Sequence, residues 1–163
     1  MFNRIAFASL AAATLVSLGL VLAHAEIKSS SPKDGDHLKD MPKVVNIEFG
    51  EAVETKLSTF KIYFMPAEMM MKDGKMMDDA GMDDVAEKLV NKVLTAKKDT
   101  ADRVDAGLAP GVKAQSKTVK LLLKPGLEKK YGAYIVMWKN LSVDTHVETG
   151  SFHFHLDAPK AMK

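Results

Sequence analysis

The 163-residue chain contains no cysteine. It has no disulfide to staple a fold and no thiolate to grip a metal, so any bound ion must be held by His, Asp, Glu, Met or backbone groups. Aromatic residues make up only 7 %, with one Trp. Most of them (Phe49, Phe60, Phe64, Trp138, Phe152 and Phe154) fit core positions, which leaves no flat aromatic platform for a polymeric substrate. Neither sign of charge dominates: 23 Lys and Arg against 21 Asp and Glu leave +2. That balance gives no support for a nucleic-acid partner. No nucleophile stands with a base, no glycine loop is built for phosphate, and no zinc-protease helix is present.

Long apolar runs are also missing, with one exception. Met1 to Ala23 carries Arg4 and then an apolar stretch from Ile5 to Leu22, ending in small residues. This is the three-part layout of a secretory signal peptide. The competing reading, a single membrane anchor, lacks a basic stop-transfer cluster at the exit. Removing the leader takes the net charge from +2 to +1. Cleavage after Ala23 leaves His24 as the first residue, whereas cleavage after Ala25 discards it. From these residues alone both positions stand. The remaining 24–163 is one domain's worth of chain, enough for a single core.

What is present reads as strands around a different middle. Val45, Ile47 and Phe49 alternate with Asn46 and Glu48, and Phe60, Ile62 and Phe64 with Lys61 and Tyr63. The pattern returns at Val119, Leu121 and Leu123, and at Phe152, Phe154 and Leu156, while Tyr134 to Trp138 is a continuous apolar run suited to a central strand. Period two predicts strands with one buried face. Turn signals fall at Ser31–Gly35, Lys124–Gly126 and Thr149–Ser151. The expected class is all-β, a sandwich of two antiparallel sheets. An insertion over about 65–115 interrupts it. Met65 to Met82 is expected as an irregular Met-rich loop, and Asp84 to about Lys98 as one short helix with the stripe Val85, Leu89 and Val93 and with Asp84 and Glu87 at capping-box spacing. Ala106 to Gln115 is expected as a loop returning to the sandwich.

Three features carry possible chemistry. Asp144 and His146, two apart on an extended segment, project to the same side and offer a carboxylate and an imidazole to a divalent ion such as Cu(II). As a new N-terminus, His24 would add a free amine and a ring nitrogen, making about four donors in the tetragonal arrangement Cu(II) prefers. The third is a run of thioethers at Met65, Met69, Met70, Met71, Met76, Met77 and Met82. Thioethers are soft, uncharged ligands suited to Cu(I); the alternative is that they fill gaps in a core. Their interleaving with Glu68, Lys72, Asp73, Lys75, Asp78 and Asp79 argues against burying them together. His153 and His155 share a strand face that is either an extension of a metal site or plain polar surface, and His37 reads as surface.

These residues resemble a family. His24-Ala25-Glu26-Ile27, then Ser30-Ser31-Pro32 and Gly35, looks like the mature start of CopC copper-resistance proteins. Val45–Phe49 with Glu51 and Val53 is similar to their next strand and its acidic turn. Gly132-Ala133-Tyr134, Trp138, Ser142-Val143-Asp144-Thr145-His146 and Thr149-Gly150 look like their closing segments. The resemblance implies an immunoglobulin-like Greek-key β-sandwich in the periplasm, with no enzymatic activity. It also implies Cu(II) at His24, Asp144 and His146, in some members a separate Met-rich Cu(I) site, and a membrane copper-transport partner of the CopD type. It favours cleavage after Ala23. The Met segment departs from the family pattern: it is longer, contains no His, and is followed by an inserted helix. Two rival readings are a copper oxidase built on an N-terminal His, and a metal-free immunoglobulin-like interaction module.

Overall fold

The computed structural model describes residues 26–72 and 74–159. The leader, both cleavage positions and His24 lie outside the described residues. Among the described residues no helix is long and apolar enough to cross a membrane.

Two four-stranded sheets face each other. The first has the order β1 (Ile27–Ser31), β3 (Val44–Glu54), β8 (Gln115–Leu123), β7 (Asp105–Leu108). The second has β2 (His37–Leu38), β10 (Val147–Leu156), β9 (Gly132–Leu141), β4 (Thr59–Pro66). All pairings are antiparallel except β2 with β10, where His37 stands opposite His155. The alternation read from the sequence explains the core between the sheets: Val45, Ile47 and Phe49 meet Phe60, Ile62, Tyr134, Val136, Trp138, Phe152 and Phe154. The all-β sandwich expected from the sequence is the architecture found.

The outer face of the second sheet is not solvated. The insertion folds back over it as a 3-10 turn (Ala67–Met70), a small hairpin of β5 (Met71–Lys72) and β6 (Lys75–Met76), and α1 (Asp79–Val93). Met82, Ala86, Val90 and Val93 pack on Tyr63, Met65, Ala133, Ile135 and Met137 to make a second core. Spacings of four, four and three put these four helical residues on one stripe. This explains the unbroken apolar run in β9: that strand is covered on both faces.

The insertion differs from its sequence reading in several ways. The helix starts five residues earlier than expected, with Asp78 rather than Asp84 as N-cap; the Asp78 side chain accepts from the Gly81 amide at 2.9 Å. It also ends at Val93, short of Lys98, because Lys61 in β4 takes over the helix end. Lys61 Nζ donates to the Val93 carbonyl at 2.8 Å and pairs with Asp99 at 2.7 Å. This satisfies one of the carbonyls that a helix terminus leaves without a partner. The segment expected as a loop over Ala106 to Gln115 contributes most of β7 and the start of β8. The segment expected as a turn at Thr149–Ser151 lies inside β10.

Candidate metal centre

The Asp144–His146 segment closes the hairpin between β9 and β10. The Ser142 amide donates to the His146 carbonyl at 2.9 Å, and the Thr145 amide to the Ser142 carbonyl at 3.0 Å. Thr145 sits at φ +75°, a region that a β-branched residue enters at a cost of order 1–3 kcal/mol. Asp144 and His146 do share a side, but a tight turn achieves it, not the extended segment the sequence suggested. Imidazole Nδ1 of His146 lies 2.7 Å from Asp144 Oδ2.

The electrostatics of the turn follow from these contacts. The Ser142 hydroxyl donates to Asp144 Oδ1. That bond, followed by the one to His146, holds the Asp144 carboxyl down at about 2. Asp144 in turn raises the His146 pKa, with smaller contributions from the charges of Glu51 and Glu148. The turn is thus a local concentration of negative charge that favours a cation at the imidazole.

Glu51 is the residue that sequence reasoning left out of the ligand set. It enters because β3 runs beside the turn: Val53 bridges to Ser142, and the Val143 amide donates to the Ala52 carbonyl at 3.1 Å. Glu51 Oε1 is buried with no hydrogen-bond partner. A carboxylate oxygen in that condition costs free energy unless a cation or a donor reaches it. The only sequence signal was its place in an acidic turn, which says nothing about proximity to residue 146.

Chemically, the turn is part of a ligand set. Among the described residues no three His, Asp or Glu side chains converge closely enough to hold an ion unaided. Two donors about 2.0–2.1 Å from a divalent ion, at the right angle of a tetragonal site, stand about 2.8–3.0 Å apart. The 2.7 Å between Asp144 Oδ2 and His146 Nδ1 is close to that separation.

The seven methionines divide. Met65, Met70 and Met82 are buried in the second core, as the packing alternative held. Met69, Met71 and Met76 are exposed, and Met77 is half-buried. His153 and His155 are buried rather than a polar surface, because α1 and the Asp34 turn cover their strand face. His37 is largely exposed, as expected, yet its ring stacks on His155 with centroids 4.5 Å apart.

A sandwich of two four-stranded sheets with one docked helix and an acidic His-bearing hairpin is the class these features define. Residues 82–157 match the CopC domain family, a stretch that includes Asp144 and His146 but begins inside α1. Two solved structures of PcoC from Escherichia coli, a methionine-rich copper resistance protein, have the same fold. One is 24 % identical at TM-score 0.52, with 83 % of this chain and 100 % of that chain covered. The other is 23 % identical at 0.51, over 81 % and 99 %. CopC from Methylosinus trichosporium OB3b is similar at 22 % identity and TM-score 0.48, over 86 % of this chain and all of the other. No curated protein matches the chain.

Proposed function

We propose that this protein is a periplasmic copper carrier with no catalytic role, which binds Cu(II) between its N-terminal residue and the β9–β10 turn. His24 would supply its amine and ring, and Asp144 and His146 the opposing pair. Glu51 would complete the site as a nearby carboxylate. The observation that carries this reading is the acid–imidazole pair held at 2.7 Å on a strained turn, beside a buried carboxylate oxygen that has no partner. The match of residues 82–157 to the CopC domain family and the copper resistance role of PcoC support copper as the ion. A second, softer ligand pool for Cu(I) would be the Met segment. The exchange partner would be a membrane copper-transport protein of the CopD type.

The test is a Cu(II) titration of exported protein, read by electron paramagnetic resonance and calorimetry. One tight equivalent with nitrogen hyperfine structure is expected. Replacing His146 by Ala, or adding one residue ahead of His24, should each weaken binding at least tenfold. Unchanged affinity in either variant refutes this ligand set. Intact mass of the exported protein separately fixes whether His24 or Glu26 is the first residue.

A further inference from the structure

The insertion sorts its methionines by strand face. In the β5–β6 hairpin Met71 stands opposite Met76. The Met77 amide donates to the Met70 carbonyl at 2.8 Å, which extends the pairing by one step. Opposite residues of an antiparallel pair share a face, and the next pair takes the other. Met70 accordingly turns into the second core, 4 % exposed, with Met77 half-buried beside it. Met71 and Met76 face solvent, 47 % and 56 % exposed, and Met69 in the preceding 3-10 turn is 66 % exposed. Among the described residues these are the only exposed methionines. Met41 is partly buried against the main core, and Met65, Met82 and Met137 are buried.

Packing does not account for the outer three. Charged residues are the usual occupants of such positions, and an apolar side chain left in water adds nothing to the core. What a thioether offers at a surface is a nucleophilic sulfur, which two-electron oxidants convert to a sulfoxide. The chain has no cysteine to intercept the oxidant first. A sulfoxide is polar, so forming one at Met70 or Met82 would disrupt the second core. Met69, Met71 and Met76 already stand in water and can become polar without loss of packing. Accessibility thus changes sharply across the three consecutive residues Met69, Met70 and Met71.

We propose that Met69, Met71 and Met76 form a reversible oxidation site, oxidised by hypochlorous acid and restored by a thiol-dependent methionine sulfoxide reductase. In the forward step a sulfur lone pair takes chlorine from hypochlorous acid and hydroxide leaves. Water then displaces chloride at sulfur, and loss of its protons gives the sulfoxide. The net products are one sulfoxide, one chloride and one proton. In the return step two thiols of the reductase remove the oxygen as water and are left as a disulfide. The strands that carry Met71 and Met76 are two residues long, and so short a hairpin opens at little cost to enter a reductase cleft. The buried Met70 and Met82 keep the insertion on the sheet in both states. None of this depends on whether the segment also holds a metal.

The experiment treats the metal-free exported protein with a few equivalents of hypochlorous acid and locates sulfoxides by tandem mass spectrometry of its peptides. Met69, Met71 and Met76 should be oxidised at least tenfold more than Met65, Met70 and Met82. Circular dichroism and tryptophan emission should stay unchanged. Reductases for the two sulfoxide epimers, supplied with dithiothreitol, should return all three residues to thioethers. In Met69→Leu/Met71→Leu/Met76→Leu, whose positions are all exposed, the same dose should yield at least threefold less total sulfoxide. Sulfoxide spread evenly over the methionines, or led by Met70 or Met82, overturns the site. Unfolding that accompanies oxidation of the three, or sulfoxides that the reductases leave in place, overturns its reversibility and with it the proposal.

Discussion

The ring of Trp138 fills the space that a side chain at residue 150 would need: a Cβ on Gly150 would fall 2.4 Å from Trp138 Cζ2. The two residues stand opposite each other in the β9–β10 pair. Gly150→Ala should therefore displace the single tryptophan and cost about 1–3 kcal/mol, as overpacking does. Urea denaturation followed by tryptophan fluorescence would show both effects, as a lower midpoint and an altered native emission. A wild-type midpoint would mean that the ring moves aside freely.

In metal-free protein, His146 should titrate above its ordinary 6.5, because Asp144 favours the imidazolium. Asp144→Asn removes that charge, so the His146 pKa should drop toward the ordinary value. Proton and metal compete for the same ring, and Cu(II) binding should weaken as pH falls through the raised pKa. Ring-proton shifts against pH for the two proteins provide the measurement.

Glu51→Gln separates a ligand from a structural carboxylate. Neutralising a carboxylate whose buried oxygen has no hydrogen-bond partner should leave stability unchanged or raise it slightly. The same change should lower Cu(II) affinity about tenfold or more if the carboxylate reaches the ion. Thermal unfolding without metal, beside a Cu(II) titration, reads the two effects separately. Unaltered copper affinity would remove Glu51 from the site.

Docking of α1 depends on Lys61, whose side chain is 9 % exposed and joins Val93 to Asp99. Lys61→Met should cost roughly 1–3 kcal/mol by leaving the Val93 carbonyl without this donor and taking from Asp99 one of its two cationic partners, Arg103 being the other. The bonds from Lys61 and then Arg103 hold the Asp99 carboxyl down at about 2, below the ordinary carboxylate range. A depressed carboxyl contributes stability above the unfolded value, and the contribution is lost as pH falls from about 4 toward 2. With Asp99 about one-third exposed, that contribution is about 1 kcal/mol. The acid-induced loss between pH 4 and 2 should be smaller in Lys61→Met than in wild type.

Much of the sandwich was legible because period-two alternation is local: Val45–Phe49, Phe60–Phe64 and Phe152–Leu156 declare a buried face without reference to any partner. Gly150 misled because a glycine signals a turn and a close contact equally well, and only Trp138 on the neighbouring strand distinguishes them. The helix start was displaced because Met82 read as part of a thioether cluster, whereas the sheet uses it as the first buried residue of the α1 stripe.

The sequence by itself determined the class of fold, the absence of thiol chemistry, and the pairing of Asp144 with His146, since these depend on composition and on neighbours in the chain. Only the tertiary structure decided that Glu51 faces the turn, that His37 lies on His155, and which methionines are core. Those relationships join residues up to 118 positions apart through strand pairing and helix docking. No pattern confined to a stretch of chain records what lies across a sheet from it.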